Sequence, residues 1–118
     1  MKETRTVKKN HEFRRMYQKG RSAVNSYLVL YVRPNRYGHN RLGVTVSTKL
    51  GKAVVRNRIK RKLREVWRLN DGQMKQGFDM ILVARGRSVK GVYREIEKAY
   101  LRAAGDLKLL ENTAEKAT

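Results

Sequence analysis

The stretch Ala53-Val54-Val55-Arg56-Asn57-Arg58-Ile59-Lys60-Arg61-Lys62-Leu63-Arg64-Glu65-Val66-Trp67-Arg68 constrains this chain more than any other. It contains no glycine or proline, and at about 100° per residue it sorts into two faces. Val55, Ile59, Leu63 and Val66 fall on one apolar stripe. Arg56, Asn57, Lys60, Arg61, Arg64 and Arg68 gather opposite, with Trp67 at the seam and Arg58 and Lys62 flanking the other edge. A helix over residues 52–69 would be roughly 27 Å long. Its cations repel one another at i, i+3 and i, i+4 spacing. Only Glu65 offsets them, whereas a solvated helix face interleaves both signs. The apolar stripe therefore belongs on a core, and the basic face belongs opposite a polyanion.

The rest of the chain can supply that core. Its 118 residues with 40% hydrophobic content suit one folded domain. The net charge of +19 is uneven: residues 1–64 hold 19 Lys and Arg against two acids, and residues 65–118 hold ten against eight. The polyanion is expected to meet mainly the first half. RNA, DNA and an anionic membrane all fit that charge alone. The absence of cysteine excludes disulfides and thiolate metal sites. No apolar run reaches the roughly 18 residues that a membrane span needs. Met1-Lys2-Glu3-Thr4-Arg5-Thr6 lacks the apolar segment of a secretory signal. The expected compartment is the cytoplasm.

In chain order, residues 1–9 read as a basic arm, residues 10–105 as the folded, polyanion-binding α/β domain, and residues 106–118 as a short helical extension or frayed tail. Asn10 is placed to cap a short helix and Glu12 suits its first turn. Phe13, Met16 and Tyr17 mark one face of it, and Gly20 stops it. Residues 26–33 alternate as a strand, with Leu28, Leu30 and Val32 on the core face and Tyr27, Val29, Tyr31 and Arg33 on the other. Tyrosines there suit half-buried packing or a stacking platform for unpaired bases. Residues 34–40 form a turn-rich loop. Residues 41–47 form the next strand, with Leu42, Val44 and Val46 inward and the small side Gly43, Thr45 and Ser47 outward. These two strands are expected to pair as an antiparallel hairpin.

Asn70-Asp71-Gly72 ends the basic helix. Residues 78–84 are almost continuously apolar and read as a central strand. From Val89 onward, Val92, Tyr93, Ile96, Tyr100 and Ala103 keep helical spacing on a charge-balanced scaffold helix. The order is α-β-β-α-β-α, with room for a short extra strand over residues 21–24. This predicts an α+β fold: a single-domain α/β sandwich with a small, mostly antiparallel sheet and helices on one face of it. The strands before and after the basic helix are candidates for parallel neighbours, for which the general rule favours a right-handed crossover.

Catalytic constellations are scarce. The basic half holds no paired carboxylates of the kind that hold two metal ions. Asp79 stands alone in a strand, as a solvated edge residue would. His11 and His39 lack metal-ligand spacing. No phosphate-cradling glycine motif is present, and Ser47 and Thr48 have no neighbouring base. A strand rather than a helix precedes the basic helix, unlike a helix-turn-helix. The aliphatic stripe is too slight for a membrane-surface helix. Aromatics beside a basic helix suit single-stranded and folded RNA. The expectation is a binder, with no catalytic and no metal-ligating residue of its own.

The run Ala53-Val54-x-Arg56-Asn57-Arg58-Ile59-Lys60-Arg61-x-x-Arg64 resembles the signature helix of the protein subunit of bacterial ribonuclease P. Phe13, Tyr17 and Gly20, then Leu28-Val29-Leu30-Tyr31, then residues 41–47 and Gly51-Lys52-Ala53-Val54 follow that family's order and spacing. The resemblance spans roughly residues 8–105. It implies the protein component of an endoribonuclease that removes the 5′ leader of precursor tRNA. Catalysis and Mg²⁺ would belong to the RNA subunit and substrate, and the protein would be a monomer within the ribonucleoprotein. By this resemblance Arg56, Asn57, Arg58, Lys60, Arg61, Arg64 and Arg68 would meet the ribonuclease P RNA. Phe13, Tyr17, Val29, Tyr31 and Thr45 would hold the leader of precursor tRNA, with Lys49 and Lys52 on the loop joining the two surfaces. It also implies a left-handed β-α-β crossover, against the general rule. The competing readings are a ribosomal or ribosome-associated RNA-binding protein and a protein-only nuclease.

Overall fold

The structure, a computed structural model, describes Thr6 and residues 10–111. Helix α1 (Asn10–Lys19) leads into strands β1 (Arg21–Val24), β2 (Leu28–Pro34) and β3 (Arg41–Thr45). Helix α2 (Ala53–Asn70), strand β4 (Phe78–Ala84) and helix α3 (Tyr93–Asp106) complete the order. The four strands form one mixed sheet in the order β1-β2-β4-β3. β1 with β2 and β2 with β4 are antiparallel, and β3 with β4 is parallel.

The expected hairpin between β2 and β3 does not form, because β4 lies between them. The reason is burial. Met80, Ile81 and Leu82 are all fully buried, so β4 needs a strand on each edge and cover on each face. The strands flanking α2 are parallel neighbours, as their order suggested. The short extra strand is present as β1, pairing Arg21 with Val32 through Val24 with Val29.

One sheet face carries the main core. Leu28, Leu30 and Val32 of β2 register with Ala84, Leu82 and Met80 of β4, and Met80 registers in turn with Leu42. Against them pack Ile59, Leu63, Val66 and Trp67 of α2 and Ile96, Ala99, Tyr100 and Ala103 of α3. Met80 joins the layers through its sulfur, which accepts from Trp67 Nε1 at 3.4 Å and Tyr100 Oη at 3.6 Å.

The other face carries Arg33, Tyr31 and Val29 beside Asp79, Ile81 and Val83 and then Arg41, Gly43 and Thr45. Helix α1 lies on it with Met16 its one buried residue, and Ile81 is fully buried at the centre of the same face. The helices therefore occupy both faces, not one. The amphipathicity of α1 is real, but its aromatics serve a second, separate surface. Gly20 lets the chain turn from α1 into β1: a Cβ there would lie 2.6 Å from Met16 O and 3.0 Å from Val32 O.

Three further expectations need correction. The last helix starts at Tyr93, because Gly86–Val89 forms a separate 3-10 turn. Tyr27 precedes β2 and leaves its alternation, packing against the main core with its ring 5.7 Å from the Arg87 guanidinium. Residues 107–111 are neither a helical extension nor a frayed tail. Leu107 and Leu109 are buried, Lys75 N donates to Leu109 O at 2.6 Å, and Glu111 N donates to Gln73 O at 2.8 Å. Of the basic arm, Thr6 bridges to Leu42. The rest of that arm and residues 112–118 lie outside the described residues.

Candidate nucleic-acid interface

Two surfaces meet at the loop between β3 and α2. The first is the outer side of α2. Its Ile59, Leu63 and Val66 are buried, which aims the opposite side at solvent. Asn57, Arg58, Arg61 and Arg64 are exposed there, and Lys60 is half-buried. None of these five has an ion-pair or hydrogen-bond partner among the described residues.

Two predicted contacts are partly committed within the protein. Arg56 Nε donates to Gly51 O at 3.1 Å, tying the guanidinium to the start of its own helix. Arg68 is exposed but forks onto Glu65 at 3.2 and 2.7 Å. That pairing holds the Glu65 carboxyl below the usual range and raises Arg68. Lys62, read as an edge cation, serves the fold instead. Its Nζ donates to Gly91 O at 3.0 Å, fastening α2 to the loop before α3.

The start of α2 adds to the positive field. Lys52 is its N-cap residue, with no side-chain cap and no acid in the first turn. A helix start carries roughly half a positive charge, and no capping side chain or first-turn acid offsets it among the described residues. The preceding turn is closed by its own bonds. Ser47 Oγ accepts from Lys49 N at 3.1 Å, and Gly51 adopts φ +146° with Val55 only 3.0 Å from where a Cβ would stand. Lys49 and Lys52 are exposed on this turn, between the helix face and the end of β3.

The second surface is a cleft between α1 and the sheet. The Tyr17 ring meets Tyr31 edge-on at 4.9 Å and Phe13 at 6.4 Å. Its hydroxyl lies 3.4 Å from Thr45 Oγ1. Val29 and Thr45 both register with Val83, so they share one row of the same sheet face. Thus Phe13, Tyr17, Val29, Tyr31 and Thr45, from three elements, come together. Tyr17 is 42% exposed while Phe13, Val29, Tyr31 and Thr45 are half-buried. Rings offering edges and partial faces to solvent can stack on bases without reading their sequence.

A buried network that the sequence did not reveal holds this cleft in place. Arg41 is only 6% exposed. It donates to both Asp79 oxygens at 2.8 Å and to Glu12 of α1 at 3.0 Å. The Asp79 hydrogen bonds raise the Arg41 pKa, so it stays charged throughout the working pH range. Asp79 is therefore neither alone nor on an edge strand. Its position opposite Arg41 follows from the parallel register of β3 with β4, which local pattern does not encode. Among the described residues no helix is long and apolar enough to cross a membrane.

Comparison with known proteins identifies the family. The sequence profile of the family described as Ribonuclease P matches residues 1–108. The ribonuclease P protein component of Alkaliphilus oremlandii is 44% identical over 112 residues, covering 95% of this chain and 98% of that protein. The component of Clostridium botulinum is 51% identical over 102 residues, covering 86% and 91%. Among solved structures, a Staphylococcus aureus RNase P protein superposes with a TM-score of 0.82 at 33% identity, covering 92% of this chain and all of that one. The Thermotoga maritima protein superposes with a TM-score of 0.77 at 30% identity, covering 86% and 94%.

Proposed function

The chain belongs to the ribonuclease P protein family, and from that membership we propose how its two surfaces divide the work of tRNA 5′ maturation. As the protein component of a ribonucleoprotein endoribonuclease it partners ribonuclease P RNA, and family membership decides between this role and the ribosomal alternative. The outer face of α2 meets the catalytic RNA through Asn57, Arg58, Lys60, Arg61 and Arg64, with Arg56 and Arg68 at its ends. The aromatic cleft takes the single-stranded 5′ leader of precursor tRNA. Lys49 and Lys52 follow the leader's phosphates from one surface to the other.

The observation that carries this reading is the contiguity of the two surfaces. A cationic helix face and a half-exposed aromatic cleft are joined by one capped, basic turn. Lys and Arg release condensed counterions and supply affinity for any backbone. Arginine forks and Asn57 then fix register through directional bonds. Stacking in the cleft adds roughly 1–3 kcal/mol per base without demanding a sequence. We assign Mg²⁺ to the catalytic RNA and the substrate, as membership of the ribonuclease P family implies.

The test is reconstitution with ribonuclease P RNA and a 5′-labelled precursor tRNA at low millimolar Mg²⁺, omitting each component in turn. Cleavage at the mature 5′ end should require the RNA and be stimulated by the protein. Cleavage by the protein alone, or no stimulation at any Mg²⁺ concentration, overturns the proposal.

A further inference from the structure

Across α1 from the aromatic cleft lies a cavity of about 390 Å³ that the leader path does not use. Arg15 of α1, Arg33 of β2, and Arg36 and Tyr37 of the loop at residues 35–40 line it. Its floor holds Arg41 with Glu12 and Asp79. We propose that this cavity is a second subsite for an unpaired RNA nucleotide, with the base stacked on Tyr37 and the phosphate held by Arg15, Arg33 and Arg36.

Three observations carry the assignment. The aromatic is exposed yet held: Tyr37 is 56% exposed, while the buried Arg41 guanidinium sits 4.3 Å from its ring centroid. A cation beneath the ring fixes the ring and leaves exposed ring surface for a base.

The loop is built in advance of any ligand. Asn35 Oδ1 accepts from Tyr37 N at 2.9 Å, and Asn35 Nδ2 donates to Asp79 at 2.8 Å and His39 O at 3.1 Å. Asn40, fully buried, donates to Asp71 at 2.8 Å and Lys75 O at 2.9 Å and accepts from Phe78 N at 2.9 Å. A loop anchored this way loses little entropy on binding.

The charge is also unbalanced in the direction of an anion. Glu12 and Asp79 are both bound to Arg41, whereas Arg15, Arg33 and Arg36 have no carboxylate partner among the described residues. Free guanidinium groups beside an exposed aromatic match a phosphate and a base together. The cavity volume falls in the range of small-ligand sites.

The nucleotide could come from the leader or from the catalytic RNA, and one experiment separates them. It rests on the two-surface reading and uses the full chain as Tyr37→Ala, Tyr37→Phe and the double variant Arg33→Ala/Arg36→Ala. Two affinities are measured: protein for ribonuclease P RNA, and the reconstituted complex for precursors with a short or a long leader. Tyr37→Ala should weaken one of them by roughly 5–150-fold, the worth of one stacked base. Tyr37→Phe should restore most of it. Loss confined to long-leader precursors assigns the site to the leader, and loss in assembly assigns it to the catalytic RNA. If neither affinity changes in either alanine variant, or if any loss only tracks a fall in melting temperature, the subsite is overturned. Tyr31→Ala and Arg61→Ala run alongside. Should those two also be silent, the two-surface reading fails as well; should they act while residue 37 is silent, only the subsite falls.

Discussion

Replacing Asp79 by alanine should cost this protein about 3 kcal/mol, and the reason lies in what remains behind. Asp79 accepts two charge-assisted bonds from Arg41, each 2.8 Å long, and a third from Asn35 Nδ2 at 2.8 Å. Arg41 is only 6% exposed, so bulk water can offer its guanidinium little compensation. Breaking one partner out of a buried pair typically costs about 3–5 kcal/mol, because the other charge stays buried. Glu12 at 3.0 Å still holds one guanidinium nitrogen, which favours the lower figure. For a domain of this size each kcal/mol moves the melting temperature by roughly 4 °C, so a fall of roughly 12 °C is expected. Urea unfolding and thermal scans on the purified protein measure it directly. The double variant Asp79→Ala/Arg41→Met should recover much of the loss, since it leaves no uncompensated charge. A loss below about 1 kcal/mol, the worth of an exposed pair, would refute the reasoning by showing that solvent screens Arg41. The same variant should loosen α1, because Arg41 links α1 to the sheet through Glu12. Discrimination between precursor and mature tRNA should therefore fall while assembly with the catalytic RNA holds.

Other perturbations separate the surfaces. Arg61→Ala should weaken assembly with the catalytic RNA and lower its salt slope by roughly one unit, read from affinities across a salt series. Arg68→Ala should do less in the same titration, because Arg68 must first give up Glu65. Tyr31→Ala should weaken binding of precursor by roughly 5–150-fold and leave mature tRNA unaffected; equal losses would remove the leader from the cleft. Lys62→Met should lower stability by about 1 kcal/mol through loss of its bond to Gly91 O, with RNA affinity nearly unchanged. Gly20→Ala should cost about 1–3 kcal/mol by chemical unfolding, because the added methyl meets two backbone oxygens.

What could be read from the sequence was what local periodicity carries. The two faces of α2, the inward row Leu28, Leu30 and Val32, and the central character of residues 78–84 are all patterns of period 3.6 or 2, set by burial of one side. Strand order is not such a pattern. Two adjacent strands joined by a short loop look like a hairpin whether or not a later strand inserts between them. The apolar run at residues 78–84 held the contrary clue, since a strand buried on both faces cannot sit at the end of a hairpin sheet. Asp79 is illegible for the same reason: a lone acid in an apolar strand has meaning only once its neighbour across the sheet is known. The cleft residues came through resemblance, because nothing in their spacing says that Phe13 and Thr45 approach the same ring.

The acids that remain show how a chain with a net charge of +19 keeps a fold and a binding face apart. Glu12 and Asp79 hold Arg41, Asp71 holds Asn40, Glu97 Oε2 accepts from Asn70, and Glu95 accepts from Val92 N at the start of α3. Each of these bonds closes the scaffold. Glu65 differs: it is the one acid within α2, and it covers the far end of the basic face at Arg68. The face centred on Asn57, Arg61 and Arg64 is left to repel itself until an anion arrives. Self-repulsion of that kind lowers the stability of the free protein, and any polyanion that relieves it stabilises the fold by mass action. Binding the catalytic RNA should therefore raise the melting temperature of the protein, and moderate salt should recover part of that gain without RNA. A melting temperature insensitive to both would mean that the α2 cations are already neutralised in the free chain, and the electrostatic argument for this helix would fall.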